Sequence, residues 1–418
     1  MAEGIGAKSP FKFILKSKDP FLNLEEYDRS KVYDRVLIQD NIYDFYPILD
    51  VNIVDKSGLI VDAIVSAEGK AFSTKIGSDI DGYDGWLESE WVWHNNETTN
   101  IPITWYIGGS TAIAFNHITY RNDIPKTRAW NDTISNIVRD IAENDYGIDP
   151  DKIFITNTTG KKVRQQAGID NRTFLKQLTN IAYSQNFEYS PFITFINSKG
   201  EFYFCAIDDL LQTAERVNFE FETELEYTVE SDIDSSTKRH VISTIENIKT
   251  NGLEVNRPLY KSNLIRFDNN QYRKEKTDIV NHLLNETNQR HILINKDLKE
   301  EHDFFSYKRF GMGLFNSDKD FEDYRGYRNS LYKKSLFNMR KEIIIPFNHK
   351  AITGKILPIE IGSVIGYKNG LSVEHSGNWL ILESRVFYDA DGIPYTVLEI
   401  AKNYTKVDIE HVLHDQME

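Results

Sequence analysis

Short segments in which apolar and polar residues alternate with a period of two fill both ends of this 418-residue chain. In one of them Leu87, Ser89 and Trp91 alternate with glutamates. Successive side chains of a β-strand point to opposite faces of a sheet, so the pattern predicts strands with one buried face. Gly, Asp and Asn residues separate the segments, as at turns between antiparallel strands. We therefore expect an antiparallel sheet or small barrel over residues 20–122.

The composition supports a β-rich, globular chain of several domains. It has 24 Phe and 22 Tyr but only 4 Met, which favours sheet over helix. The chain is longer than the roughly 250 to 300 residues at which one core stops growing, so two to four domains are expected. Its single cysteine, Cys205, excludes an internal disulfide and a Cys-rich zinc site.

Charge and hydropathy limit the partners that we expect. The formal net charge of −14 argues against a protein that wraps duplex nucleic acid, which requires clustered Lys and Arg. The first apolar run, Phe11–Leu15, is short and interrupted by Lys12, and no later run approaches the ~18 apolar residues of a membrane span. We expect neither a signal peptide nor a membrane-spanning helix.

Two similar helix entrances lie in the region that follows, where the stretches are "WNDTISNIVRDIA" and "VRQQAGIDNRTFLKQLTNIA". In the first, Asp132 and Thr133 are capping residues, and apolar residues follow at i, i+3, i+4 and i+7 from Ile134. In the second, Asp170 is the cap and Phe174 begins the apolar face. With the strands "KIFIT", "FITFIN" and "EFYFCAI", the predicted order is α-β-α-β-β. We expect an α+β domain whose two helices lie on one sheet.

A strictly alternating run begins at Val217 and carries four glutamates on one face, namely Glu220, Glu222, Glu224 and Glu226. A solvated strand face explains such a run. Glu is, however, not favoured in strands, and like charges along one face repel one another. If copies of this strand faced a common axis, they would form an electronegative lumen to which DNA would not adhere. These glutamates are therefore our candidate channel-lining residues.

The next hundred residues are polar and irregular, and strands resume after them. We predict helices at Glu275–Glu286 and Asp320–Met339 in this inserted region. The later strands are "EIIIPFN", "KILPIEIGSVIGY", "GNWLILESRVFYD" and "PYTVLEIAKNYT". The acidic tail that follows Thr405 is expected to be loosely held.

Motifs for phosphate or metal binding are incomplete. "TNTTGKK" lacks the first glycine of a phosphate-binding loop, where Ile155 stands, so it is interpreted as a polar turn. The stretch from Asp79 to Glu90 has calcium-loop carboxylates at positions 1, 3 and 12, but Asp84 occupies the position that requires glycine. A turn between strands is preferred there. The ten histidines include no H-E-x-x-H motif, so we expect no metal site and no cofactor.

Signals for catalysis or for base stacking are equally weak. Cys205 lies within a strand pattern, where a buried, inert thiol is expected. Carboxylates are so abundant that a glycoside-hydrolysing pair cannot be read from the sequence. The segment "YRGYRNSLYKKSLF" could stack single-stranded bases, but its helical spacing favours a core stripe with solvated Lys and Arg.

The organisation as a whole resembles the baseplate hub proteins of contractile-tailed bacteriophages, of the T-even type, and their relatives in contractile injection systems. The resemblance lies in the helical unit followed by Q-x-G-x-D-N-x-T-F-L-x-x-L and a hairpin, between two β-rich regions. The residues that carry it are Gln166, Gly168, Asp170, Phe174, Leu175 and Leu178. It also lies in the C-terminal strands, where Gly362 and Gly377 would mark the bends of a small barrel.

The resemblance implies a mixed α+β, β-rich fold with two antiparallel β-barrel tube domains and α+β peripheral domains. The implied divisions are a first tube domain with an N-terminal arm at 1–122, an α+β peripheral domain at 123–213, a second tube domain at 214–235 plus 342–406, an inserted peripheral domain at 236–341, and a tail at 407–418. Three chains would then form a pseudo-sixfold ring that matches a hexameric tail tube. The glutamate run would belong to a ring-forming barrel.

The implied function is structural and not enzymatic. A homotrimer would adapt a trimeric central spike to the tail tube, or to a tube-initiator protein, around an axial channel for tape measure protein and DNA. DNA would be present only in transit, and the protein would belong to the virion tail baseplate after assembly in the host cytoplasm. Because few residues follow Thr405, we expect the spike to be a separate chain.

Two other functions stay open from the residues alone. One is a tail-associated cell-wall hydrolase. The other is a carbohydrate-binding adhesin that would use tryptophans such as Trp86, Trp91, Trp93 and Trp105, although their strand patterns favour core packing.

Overall fold

The computed structural model describes residues 12–17, 33–54, 71–78, 85–93, 110–188, 190–217, 220–223, 238–240, 243–245, 261–268, 271–278, 326, 329–330, 337, 339–361, 377–389 and 394–402. Its strands are β1 Lys12–Ser17, β2 Tyr33–Asn41, β3 Ile48–Val54, β4 Ala71–Ser78, β5 Gly85–Trp93, β6 Ser110–His117, β7 Lys126–Asp132, β8 Ile153–Ile155, β9 Lys162–Ile169, β10 Phe192–Ile196, β11 Phe202–Ala206, β12 Glu220–Thr223, β13 Lys238–His240, β14 Ser243–Ile245, β15 Lys261–Asp268, β16 Gln271–Asp278, β17 Met339–Pro346, β18 Ile356–Ile361, β19 Gly377–Asp389 and β20 Pro394–Lys402. Its α-helices are α1 Ile134–Asp140, α2 Asn171–Thr179 and α3 Ile207–Thr213. The fold is β-rich, as predicted.

Thirteen of these strands form one sheet that contains both alternating regions of the sequence. Its main path runs β1-β4-β5-β6-β3-β2-β19-β18-β12-β13, and β20, β17 and β14 extend from β19. Most neighbours are antiparallel, as predicted, but β12 is parallel to β13 and to β18. No sheet formed by the described strands closes into a barrel, so the two barrels stay a prediction.

Strand β19 connects the two halves of this sheet. One of its edges pairs first with β18, through Gly377–Leu380, and then with β2, through Glu383–Asp389. Its other edge pairs with β20, and the register shifts between Ile381 and Glu383. An extra residue at such a position bends a strand and increases its twist. The change of neighbour therefore coincides with the extra residue, Leu382, in the strand that both halves share.

The two halves have separate hydrophobic cores. In the first, Trp91 and Phe115 are buried with Val386 from the later part of β19. In the second, Trp379 from the start of β19 is buried with Leu398. The sheet is thus continuous, while its apolar side chains divide between these two clusters and a third, in which Leu380 and Leu382 of β19 pack with Phe195 of the α+β region.

Residues 126–213 form the predicted α+β region, with two helices on a three-stranded sheet in the order β10-β11-β8. Both helices pack into one core with this sheet, which confirms their predicted arrangement. The predicted order of elements was incomplete, because β7 and β9 pair as an additional two-stranded ribbon. Val163–Ile169, which we predicted to enter a helix, lies in β9. Only Gln166 of β9 is fully buried, so this strand carries no apolar alternation that would have revealed it.

The inserted region differs from its prediction. Residues 275–278, predicted to be helical, belong to β16, which forms an antiparallel hairpin with β15. The rest of that predicted helix lies outside the described residues. In the second predicted helix, Gly326, Asn329 and Ser330 are helical, but Met339 already belongs to β17. The tail at 407–418 lies outside the described residues. None of the helices in the described part of the chain has the length and hydropathy to cross a bilayer.

Candidate functional site

The candidate channel-lining residues lie at and beyond strand β12. The structure describes the backbone of Glu220 and Glu222, which pairs with β13 and β18, and Glu222 is in register with Glu360. Glu224 and Glu226 lie outside the described residues. The acidic lumen therefore stays a prediction.

The polar residues of the motif at Gln166–Leu178 form a buried network between the β7–β9 ribbon and helix α2. Gln166 and Asn171 are completely buried. The Gln166 amide donates to the Ile169 carbonyl at 2.7 Å and to Asn171 Oδ1 at 3.1 Å. Arg128 Nε donates to Gln166 Oε1 at 3.0 Å. Because buried polar groups are costly unless they are paired, these residues fix the ribbon against the helix.

Asp145 completes this network. Its carboxylate accepts hydrogen bonds from Arg128, from Lys126 Nζ at 2.6 Å and from Asn171 Nδ2 at 3.0 Å. Burial by itself raises the pKa of Asp145, but the hydrogen bonds from Arg128 and Lys126 outweigh it and hold the pKa below its ordinary value. The carboxylate is thus kept ionised as an internal partner, unlike a general acid, whose pKa is raised.

The remaining motif residues have packing and capping roles. Gly168 has φ of +66°, a left-handed conformation that glycine adopts without strain. Asp170 Oδ1 accepts from Thr173 N at 2.7 Å and caps α2, as predicted. Phe174 stacks on Trp130, with 5.5 Å between the ring centroids. The Arg128 guanidinium lies over the Trp130 ring, 4.4 Å from its centroid. The motif therefore builds the fold of this region.

A second polar cluster joins the α+β region to the first half of the large sheet. Tyr46, in the turn between β2 and β3, donates to Tyr146 Oη at 3.2 Å, and Tyr146 donates to Asp123 at 3.2 Å. Phe45 packs in the same core as both helices, and its carbonyl accepts from Ile196 N at 2.9 Å. The β2–β3 turn is thus part of the α+β core.

The most deeply buried junction lies where the β10–β11 turn enters the large sheet. Asp40 is 3% exposed, and its carboxylate accepts from Ser198 N at 2.9 Å and from Thr353 Oγ1 at 2.6 Å. Burial raises the pKa of Asp40, although the hydrogen bonds from Thr353 and Ser198 lower it in part. One carboxylate therefore connects the first alternating region, the α+β hairpin and the loop before β18.

Neighbouring residues enclose the same turn. Ser89 of β5 donates to the Ser198 carbonyl. A side chain at Gly200 would lie 3.3 Å from the His117 ring, so the turn packs closely on that histidine. Burial lowers the pKa of His117 to about 3. Its Nδ1 forms a hydrogen bond with Thr119 Oγ1 at 2.8 Å. A neutral, buried histidine of this kind is a packing element.

The structure also places the residues considered for catalysis, metal binding or glycan binding. Cys205 is buried and donates to the Phe154 carbonyl, and burial raises its pKa to about 12, so it is not an activated nucleophile. No metal-binding group of His, Cys, Asp and Glu occurs among the described residues. Ser78 pairs with Gly85, so the incomplete calcium loop joins two antiparallel strands, as preferred; residues 79–84 lie outside the description.

The tryptophans considered for glycan binding fall into three situations. Trp91 is fully buried, and its ring nitrogen donates to Thr74 Oγ1 at 2.7 Å, which confirms core packing. Trp86 is half-buried. The side chain of Trp93 and all of Trp105 lie outside the description.

The folded sheet brings together a row of three glutamates that the sequence patterns did not indicate. Glu342, Glu399 and Glu383 lie side by side across β17, β20 and β19. Arg340 Nη1 lies 3.4 Å from Glu399, and Arg385 pairs with Glu342. Burial raises the pKa of Glu383, while Arg385 lowers it in part. Each carboxylate of this row thus has an arginine nearby, and only strand pairing could have revealed the row.

Comparisons with known proteins give similar structures at low sequence identity. The 43 kDa tail protein of prophage MuSo2 from Shewanella oneidensis has a TM-score of 0.48 at 11% identity, over 94% of this chain and 98% of that one. The tail protein of Neisseria meningitidis MC58 has a TM-score of 0.48 at 7% identity, over 94% and 96% of the two chains. The E. coli c3393 protein, a component of the type VI secretion system, has a TM-score of 0.40 at 9% identity, over 90% and 74%. No family model and no curated protein matches the sequence.

Proposed function

We propose that the chain is a structural, non-enzymatic hub of a phage tail baseplate. In this function, three copies adapt a trimeric central spike to a hexameric tail tube. The observation that carries the proposal is the continuous sheet with two separate cores, joined by β19. Two sheet modules in a fixed relation within one chain would allow a threefold assembly to present six like surfaces. In this proposal the two modules would be the tube domains at 1–122 and at 214–235 plus 342–406.

The α+β region would decorate the outside of such a ring. Its junction at Asp40 supports this assignment because it attaches the region to the sheet, while its buried polar network leaves its motif residues paired with one another. The inserted region at 236–341 would be a second peripheral part. The partners would be a separate central spike protein, the tail tube or a tube-initiator protein, and the tape measure protein.

The mass of the assembly tests the proposal most directly. One chain has a mass of 48.5 kDa, and we expect light scattering to give three times this value for the chain alone. With the spike protein added, the mass should rise further by that of three spike chains. Electron microscopy of the same sample should show six similar modules around a channel. A monomer that persists in the presence of both spike and tube proteins would contradict the hub function.

The channel hypothesis has its own test. We expect the combined substitution Glu220→Lys, Glu222→Lys and Glu224→Lys to leave particle assembly intact and to reduce DNA ejection by about tenfold, because a lumen with reversed charge attracts the phosphate backbone. Ejection is measured as the release of DNA from purified particles after the addition of host-cell envelopes.

A matched control makes the same change in net charge elsewhere, through Asp44→Lys, Glu143→Lys and Asp151→Lys, at solvent-accessible positions outside the strands of the large sheet. It should eject DNA normally. Normal ejection by well-assembled particles of the first variant would exclude an acidic lumen at this strand, while the trimeric mass would still test the hub function independently.

A further inference from the structure

A buried lysine and a buried asparagine from distant parts of the chain contact the same carboxylate oxygen. Lys355, which directly precedes β18, is 5% exposed, and Asn197, which directly follows β10, is completely buried. Asn197 Nδ2 donates to Glu201 Oε2 at 2.7 Å, and Lys355 Nζ lies 3.0 Å from the same oxygen. The side-chain amide and the ammonium group are therefore held next to one another.

Two main-chain donors hold the carbonyl oxygen of the Asn197 side chain. Lys199 N and Glu201 N each donate to Asn197 Oδ1 at 3.1 Å. These hydrogen bonds fix the orientation of the amide and would also stabilise negative charge on Oδ1, as the donors of an oxyanion hole do. The amide carbon of Asn197 is thus prepared for addition of a nucleophile.

Glu201 is placed to carry protons between the two groups. Its Oε2 also accepts from Tyr203 Oη at 2.7 Å, while Lys355 Nζ pairs in addition with Glu215 at 3.1 Å. Burial by itself raises the pKa of Glu201, but Lys355 and the hydrogen bonds from Asn197 and Tyr203 outweigh it and hold the pKa below its ordinary value. The carboxylate is therefore ionised and can accept a proton from the ammonium group.

Aromatic rings line one side of this group. Tyr203 stacks between Phe195 and Phe154 of the neighbouring strands, with 4.7 and 4.8 Å between the ring centroids. Lys355 Nζ lies 5.7 Å from the centroid of the Phe154 ring. Apolar surroundings disfavour the charged forms of a lysine and a carboxylate, and so favour their neutral forms relative to water.

We propose that Lys355 and Asn197 form an intramolecular isopeptide bond, with Glu201 as the catalytic acid and base. A proton of the Lys355 ammonium passes to Glu201, and the neutral amine adds to Asn197 Cγ. The bond from Cγ to Nδ2 then breaks. Both protons that Nζ gives up pass through Glu201 to Nδ2, so ammonium leaves and Glu201 ends as a carboxylate. The step needs no oxidant or reductant.

Proximity and irreversibility favour this product. The low pKa of Glu201 makes the neutral amine a minor form, so the reaction is slow, but fixed neighbouring groups replace a bimolecular step by an intramolecular one. Ammonium diffuses away, and the product accumulates. The competing main-chain nucleophile, Ser198 N, is occupied because it donates to Asp40 at 2.9 Å. The bond would join the β10–β11 turn covalently to the start of β18, and the inference does not depend on the hub function.

Intact-mass spectrometry of the full-length chain tests the proposal, after the folded protein has been incubated for several days at mildly alkaline pH. We expect the mass to lie below that of the unreacted chain by one ammonia, about 17 Da. A tryptic digest should contain peptide 177–199 joined to peptide 351–368, because trypsin does not cleave after an acylated lysine.

Three variants identify the reacting groups, and circular dichroism checks that each is folded. Lys355→Arg keeps a positive charge beside Glu201 but should retain the full mass, since a guanidinium stays protonated and is not a nucleophile. Glu201→Gln keeps the size of the side chain and should slow the loss of ammonia at least about a hundredfold. The matched control Lys350→Arg changes a lysine five residues before Lys355 and should lose ammonia like the native chain.

The outcomes that contradict the proposal are distinct. A native chain that keeps its full mass after incubation would overturn it, and the contacts would then be only an ion pair. The same mass loss from Lys355→Arg would also overturn it, because the ammonia would come from a succinimide at Asn197. Loss of ammonia from Glu201→Gln at the native rate would overturn the catalytic role of Glu201.

Discussion

Asp40→Ala lowers the free energy of unfolding at pH 7 by about 2 to 3 kcal/mol, because it removes the carboxylate that two buried donors share. These donors are Ser198 N and Thr353 Oγ1, which lie 2.9 and 2.6 Å from the carboxylate. Ser198 N then has no acceptor, whereas Thr353 Oγ1 can still donate to the Asp40 main-chain oxygen at 3.0 Å. Urea unfolding followed by circular dichroism and by tryptophan fluorescence measures the change. Since the junction joins three parts of the chain, both probes should report the loss.

Asp40→Asn is the matched control, and it should change the free energy of unfolding by less than about 1 kcal/mol. Its Oδ1 can accept from Ser198 N while its amide donates to Thr353 Oγ1, and the threonine hydroxyl can still donate to the Asp40 main-chain oxygen, which it reaches at 3.0 Å. Ser198 N and Thr353 Oγ1 then both stay paired.

The pH dependence of stability, compared between the native chain and Asp40→Asn, shows whether the charge of the buried carboxyl matters or only its volume. The pKa of Asp40 is raised in the folded protein, so the folded state favours the protonated carboxyl. Its contribution to stability is fully present below the unfolded pKa and is lost as the pH rises through the folded pKa. The stability of Asp40→Asn relative to the native chain should therefore increase with pH over this window. A difference that does not vary with pH, or an alanine variant as stable as the native chain, would contradict the role assigned to this junction.

Gly326→Ala should separate the helical residues Gly326, Asn329 and Ser330 from the α+β region, at a cost of about 2 to 3 kcal/mol. A Cβ at Gly326 would overlap the main chain of Ile181 and would lie 2.6 Å from the Ala182 carbonyl oxygen. Main-chain atoms cannot move aside as a flexible side chain can. Asn329 lies on the same helical face and donates to the carbonyls of Glu188 and Ser190. These two hydrogen bonds would be lost together with the packing at Gly326.

Hydrogen exchange across Gly326 and Asn329 measures this separation, with faster exchange expected in the alanine variant. The direction of the change in exchange rate is informative, because alanine stabilises a free helix relative to glycine by about 1 kcal/mol. Gly147→Ala is the control, since Gly147 has no atom within 4 Å of the added carbon and only its φ of +67° opposes the change. Slower exchange in Gly326→Ala would show that the close approach does not exist in solution.

The helices of the α+β region could be predicted because their signals are local. Thr133 accepts from Asn136 N and Asp170 from Thr173 N, so each cap lies within three residues of its partner. The apolar faces that follow are buried as the 3.6-residue period requires. The alternation in β5 was equally informative, with Leu87 and Trp91 buried and Glu88 and Glu90 exposed.

The ribbon and the inserted hairpin could not be predicted in this way. Strand β9 contains mostly polar and small residues, and only its pairing with β7 defines it as a strand. The charged residues of β16 have a pattern that also fits a solvated helix, and only the pairing with β15 shows that they form a strand. In both cases the deciding interaction is with a neighbouring strand, which leaves no period in the strand's own sequence.

Patterns within a few residues were therefore enough to define the sheet-rich character, the two capped helices and the strands of both ends, because capping and amphipathic periods act over one or two turns. The folded chain was needed to show that β19 joins both halves of one sheet and that Asp40 meets partners 158 and 313 positions away. Such contacts depend on which segments pack side by side. A carboxylate that will be buried among distant donors looks the same in the sequence as one that will face water.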